Sequence, residues 1–166
     1  MMAGELEFGR VPPKGKLQIA ALVLRVCLGA WFVDSGVRKI FVSGLDRFTL
    51  DVANYRLLGA PWDAAVAYTL PWLEIFAGMC LVLGVFRKGA ILSIAGMVAA
   101  FSAGVGWAWS QGLDISCGCR GGDEPMNYSL KAGEFLLYGV VLAVLWVAEM
   151  RRSEGISTGS ANAPVQ

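Results

Sequence analysis

Residues 114–123 read DISCGCRGGD and hold two of the chain's four cysteines, Cys117 and Cys119, separated by Gly118. Thiols one residue apart close a very small disulfide ring, which departs from relaxed geometry. Strained, exposed disulfides are the labile, exchanging ones, and a link across so short a loop constrains little of the chain. Gly118, Gly121 and Gly122 supply the backbone freedom such a ring needs. Arg120 is adjacent and favours the thiolate, which is the attacking form. The chain has no histidine, which removes imidazole acid–base chemistry and most zinc sites. Two thiolates without histidine make a poor metal site, so no metal is expected.

Four further charged residues stand out because of where they fall. Arg25 lies inside the first long apolar stretch and Glu74 inside the second. Counting about 1.5 Å per residue puts both near mid-depth of a bilayer core of roughly 30 Å. A lone charge there costs several kcal/mol, so Arg25 and Glu74 are expected to pair. Arg25, Gly29, Phe32, Gly36 and Lys39 share one helical face, and Glu74 shares one with Pro71 and Gly78. The glycines permit close helix contact. Asp34 and Glu134 lie near the membrane ends on the Cys117 side, as interfacial carboxylates or as proton partners of the thiols. Cys27 and Cys80 fall within spans and read as inert buried thiols.

The elements that must position these groups follow from composition. The 166-residue chain is 56% hydrophobic, well above a soluble domain, and its length is that of one domain. A net charge of +1 gives no field for nucleic acid. Four apolar segments reach membrane length, about 20 residues: Leu17 to Phe41, Ala64 to Phe86, Gly89 to Trp109 and Leu130 to Met150. The fold expected is all-α, an integral membrane four-helix bundle. Residues 1–16 form an N-terminal segment, 17–150 the membrane domain and 151–166 a polar, disordered tail. The first apolar run is too long for a cleaved signal peptide and reads as a retained helix.

Arg10, Lys14, Lys16, Arg87, Lys88, Arg151 and Arg152 fall on one side, which the positive-inside rule assigns to the cytoplasm with both termini. Trp31, Trp62, Trp107 and Trp109 cluster at the opposite ends as an interfacial belt. Between the first two spans, Leu45, Phe48, Val52 and Tyr55 recur at helical spacing, with Asp46, Arg47, Asp51 and Asn54 on the other face. This predicts a short amphipathic helix at the membrane surface.

The stretches RVCLGAWFVDSGVRK, YRLLGAP and LPWLEIFAGMCLVLG, with CGC before the fourth span, resemble the DoxX-like membrane proteins. Within them the CGC resembles the methylamine-utilisation MauE family. That family commonly continues its motif with Phe-Gly, where this chain has Arg120 and Gly121. The resemblance implies a four-helix membrane bundle in a bacterial inner membrane. It implies thiol–disulfide chemistry on the extracytoplasmic side, an extracytoplasmic thioredoxin-like partner, and a role in maturing a disulfide-containing redox enzyme. The likeness to vitamin K epoxide reductase and DsbB is one of fold plan only.

The reading that unites these features is a membrane thiol–disulfide redox protein working through Cys117 and Cys119. A quinone held between helices near Trp72, Glu74 and Arg25 is compatible with it, although nothing in the sequence specifies one. The rivals are a DoxX-type subunit of a quinone-linked oxidoreductase and a non-enzymatic assembly or scaffold protein.

Overall fold

A computed structural model describes residues 16–113 and 127–160. They form five helices: α1 (Lys16–Phe41), α2 (Leu45–Asn54), α3 (Trp62–Leu83), α4 (Arg87–Ser110) and α5 (Tyr128–Ser160). Four of them are long and apolar enough to cross a bilayer, over Gln18–Phe41, Trp62–Leu83, Arg87–Ser110 and Tyr128–Arg152. The protein is therefore a multi-pass helical membrane protein. Its outward face carries many large apolar side chains, among them Val23, Phe76, Leu92, Leu136 and Val140. This is the surface that a bilayer covers. The interior core is small: Leu28, Phe32, Leu81, Ile91, Ile94, Met97, Leu142 and Leu145.

The closest contact in the bundle joins α1 and α3, which run antiparallel. A Cβ on Gly29 would lie 2.7 Å from the carbonyl oxygen of Gly78, and one on Gly78 would lie 2.6 Å from that of Gly29. Seven residues along, a Cβ on Gly36 would lie 2.6 Å from the carbonyl oxygen of Pro71. Backbone therefore touches backbone at two successive levels, as small residues allow in membrane helices.

At one end of the bundle, α3 stops at Gly84, which is left-handed with φ 77° and donates its N–H to the Cys80 carbonyl. Three residues later, at Arg87, α4 begins. At the other end, α2 docks on α3 and α1. Its Phe48 is buried as expected, but so is Asp51, which sequence periodicity places on the outer face. Asp51 follows Phe48 by three residues and so falls at the edge of the docked face, while Asp46, Arg47, Leu50 and Asn54 stay exposed, and the helix is amphipathic as its periodicity predicts. Tyr55 and Leu57 then cross to α4, where they lie against Gly104.

The ends of the α4–α5 connection are held together. Tyr128 stacks on Trp109 with ring centroids 6.0 Å apart and planes 11° apart, and its hydroxyl donates to the Leu113 carbonyl. At the far end, α5 continues to Ser160. The stretch after Arg152 thus begins as helix rather than as the disordered tail expected from its polarity. Extending a formed helix fixes one residue per added hydrogen bond, and that is enough to carry it onward.

The α1–α3 contact yields a direct expectation. Gly29→Ala should destabilise the bundle by about 1–3 kcal/mol, because the backbones must part to admit a methyl group. Gly139→Ala, which meets open space, should be near neutral. Reversible unfolding in detergent reports both, and equal stability of the two variants would contradict the packing described.

Candidate functional site

The α1–α3 register determines which charges can meet. Because Gly29 faces Gly78 and the helices are antiparallel, Glu74 lies level with Val33, between Phe32 and Gly36. Lys39 lies beyond that level on α1. Helical side chains lean towards the N-terminus of their own helix, so the Lys39 stem runs back into the bundle. Its Nζ donates to Glu74 Oε1 at 2.5 Å and Oε2 at 2.7 Å, and to Ser35 Oγ at 3.2 Å. An ammonium has three donors, and all three are used. Both side chains are 1% exposed. The ammonium also lies 5.3 Å from the ring centroid of Phe48 and 5.2 Å from that of Phe101, within cation–π range.

This overturns the expected Arg25–Glu74 pair. Arg25 lies about 21 Å along α1 from Lys39, at the end of the bundle where α3 turns. Its guanidinium packs over Gly84 and interacts with Arg87, Glu149 and Arg152. The depth estimate fails because α1 begins well before the α3–α4 turn, so Arg25 sits level with that turn and not at mid-depth. Trp72 is 49% exposed on the outside of α3. Trp72, Glu74 and Arg25 therefore do not converge, and they form no quinone site.

Glu74 and Lys39 instead border a cavity of about 50 Å³ between α1, α4 and α5. That is far below the roughly 300–1,000 Å³ of small-molecule sites, but ample for water, which needs about 10–15 Å³. Trp31, Phe32 and Phe101 line it together with Lys131, Glu134 and Tyr138 from α5. Glu134 accepts from Lys131 Nζ at 2.7 Å and from the Tyr138 hydroxyl at 2.5 Å. The Tyr138 ring meets Phe32 edge-on, with centroids 6.1 Å apart. Asp34, at the rim, accepts from Arg38 Nε at 2.7 Å. This second pair is exposed and adds little to stability. Carboxylates, ammonium groups and a phenol thus share one small, partly open cavity, an arrangement that can hold and pass protons.

Of the cysteines within the spans, Cys80 is half-buried, whereas Cys27 is exposed on the outside of α1 rather than buried in the core. Cys117, Gly118, Cys119 and Arg120 lie outside the described residues. The connection that carries them starts after Leu113 and returns at Asn127, four residues before Lys131 of the cavity wall.

Sequence reasoning missed Lys39, Ser35 and Tyr138 as members of this site. The signal for Lys39 was present. It shares the glycine face of α1, and an antiparallel Gly29–Gly78 contact brings Glu74 towards Lys39 and away from Arg25.

A family model, Methylamine utilisation protein MauE, matches residues 17–149. The chain belongs to the MauE family. No curated protein and no solved structure matches it significantly. The MauE match spans all four membrane helices, so the Lys39–Glu74 pair, the cavity and the Cys117–Cys119 segment all fall inside it. The protein is accordingly a membrane protein associated with methylamine utilisation.

A buried ion pair of this kind has a measurable signature. Lys39→Met or Glu74→Gln alone should cost about 3–5 kcal/mol, because each strands a polar group in the bundle. Lys39→Met combined with Glu74→Gln should cost less than the two single losses together. Strict additivity in a double-mutant cycle would show that the two side chains do not interact.

Proposed function

We propose that this MauE-family protein exchanges disulfides through Cys117 and Cys119 with an extracytoplasmic thioredoxin-like protein, and so serves the maturation of a disulfide-containing redox enzyme. The observation that carries this reading is the Cys-Gly-Cys pair in a connection whose two ends are clamped by Tyr128 on Trp109 and Leu113. Such a clamp returns the chain to one place on the bundle. A partner would therefore meet the two ends of the connection at a fixed place on the bundle.

In the forward direction, one loop cysteine attacks a partner disulfide as thiolate. A new S–S bond joins the two proteins, and the partner's second sulfur leaves as thiolate. The other loop cysteine then attacks the sulfur of the first. This closes Cys117–Cys119 and releases the partner as a dithiol. Two electrons pass to the partner and two protons follow to its thiolates; the reverse sequence oxidises the partner. Arg120 stabilises the attacking thiolate. Glu134 and Asp34 are, with the ion-paired Glu74, the carboxylates at the cavity on the side of the bundle where the connection returns, and Glu134 and Asp34 take up the protons the loop thiols release.

The basic residues at the α3–α4 turn and late in α5, Arg151 and Arg152, support an inner-membrane topology with cytoplasmic termini and an extracytoplasmic Cys117. A scaffold role is the competing reading. It is favoured by the Lys39–Glu74 pair, which joins α1 to α3 through two hydrogen bonds.

Redox titration with thiol alkylation and intact-mass readout distinguishes the two. The exchange reading expects a Cys117–Cys119 midpoint above that of structural disulfides, which lie below about −300 mV. It also expects a trapped mixed disulfide with a thioredoxin-like protein when Cys119 is replaced by alanine. Thiols that stay reduced in oxidising buffer and form no adduct would leave the scaffold. Impermeant thiol labelling of reduced spheroplasts should reach Cys117 without lysis, and labelling that requires lysis would reverse the topology.

A further inference from the structure

Among the described residues, the end of the bundle opposite the cavity carries an excess of positive charge with no role in thiol chemistry. Arg25 Nη1 and Nη2 lie 3.1 and 3.2 Å from the point that a Cβ on Gly84 would occupy, and Arg87 Nε lies 3.2 Å from the same point. Two guanidinium groups thus converge on one glycine. Arg87 Nε donates to the Gly84 carbonyl at 3.0 Å, and its Nη1 lies 3.5 Å from Glu149 Oε1. Arg152 adds a third cation within electrostatic reach of Arg25. Glu149 is the one carboxylate among the described residues of this cluster, so positive charge remains in excess. Arg25 Nε is buried and has no hydrogen-bond partner among the described residues. Convergent guanidinium groups repel unless an anion joins them, and planar guanidinium forks suit a phosphate.

A second feature starts at the same place. Between α4 and α5 runs an open apolar groove of about 410 Å³, lined by Ile91, Leu92, Ala95, Ala99, Ala143 and Trp146, among others. Ile91, Ala95 and Ala99 follow Arg87 at intervals of four residues along α4, and Glu149 follows Trp146 by three on α5. Helical geometry therefore puts the Arg87–Glu149 bridge at the end of the groove. The small side chains Ala95, Ala99 and Ala143 give it width. From Ile91 to Ala99 it extends about 12 Å. A free anion would use the arginines but not the groove, and a neutral acyl chain would use the groove but not the arginines.

We propose that this end of the protein binds an anionic phospholipid, with the headgroup phosphate among Arg25, Arg87 and Arg152 and one acyl chain along the α4–α5 groove. Basic pockets between membrane helices recognise such headgroups. The site is independent of the thiol reading and stands whether or not Cys117 and Cys119 exchange disulfides.

Native mass spectrometry of the full chain in detergent micelles tests it, with phosphatidylglycerol and phosphatidylcholine of matched acyl chains as probes. The wild-type protein should prefer phosphatidylglycerol on the order of tenfold. Arg25→Gln with Arg87→Gln should remove the preference and leave phosphatidylcholine binding as it was. Ala143→Phe, at an exposed position in the groove, should weaken both lipids without altering helix content. Equal binding of the two lipids by the wild-type chain overturns the proposal, as does undiminished phosphatidylglycerol binding by Ala143→Phe. Inorganic phosphate that displaces phosphatidylglycerol at millimolar concentration would reassign the arginines to a free anion. If the double arginine variant does not fold, the wild-type comparison and Ala143→Phe still decide the matter.

Discussion

The structure depends on two helices touching backbone to backbone. In a bilayer, apolar side chains gain little by leaving lipid for protein, so close packing and polar contacts must join the spans. Gly29, Gly36, Pro71 and Gly78 let α1 and α3 approach until carbonyl oxygens lie where side chains would otherwise be. This contact fixes the axial register of the pair. Register in turn decides that Glu74 faces the level of Val33, where Lys39 can reach it from above and Arg25 cannot reach it from below. The ion pair is thus a consequence of the glycine contact, and it locks that contact against sliding, since a one-turn slip would separate Lys39 from Glu74.

Polar groups are sorted to two levels of the bundle. On the side where the α4–α5 connection returns, Lys39, Glu74, Lys131, Glu134 and Tyr138 line a small cavity together with Phe101, and Phe48 packs near the Lys39 ammonium. On the other side, Arg25, Arg87, Glu149 and Arg152 gather at the α3–α4 turn. Between the levels lies a core of aliphatic residues from α1, α3, α4 and α5. Charge is thereby kept out of the central contact surface except at Glu74, where every donor of its partner is used.

Much of the architecture was legible in the sequence because membrane spans declare themselves by length and apolarity. The four spans and α2 lie close to where periodicity placed them. The glycine-bearing faces of α1 and α3 were also legible, since small residues at seven-residue spacing have a specific use in lipid. The choice of partner for Glu74 was not. Depth estimated from the ends of each apolar run assumes that all spans start at the same level, and α1 does not. Asp51 was misplaced for a related reason: it lies at the border of the apolar face of α2, three residues from Phe48, and only tertiary docking shows how wide the covered face is. The family match was anticipated by the CGC motif, whose own chemistry is a matter of reactivity and not of packing.

The position of Lys39 also bears on how the chain enters the bilayer. Helix α1 is made before α3, so a lysine whose carboxylate partner lies on α3 must first be accommodated alone. Lys39 is two residues from the end of α1 at Phe41, close enough for its flexible stem to extend towards the headgroups and keep the ammonium hydrated. Arrival of α3 then adds the Glu74 carboxylate to the Ser35 hydroxyl already present on α1, and the same stem swings inward. The side chain thus has a solvated resting place during synthesis and a dry one afterwards. A cation placed two turns deeper on α1 would have only the second, and insertion of the first span would be opposed until the third helix was complete.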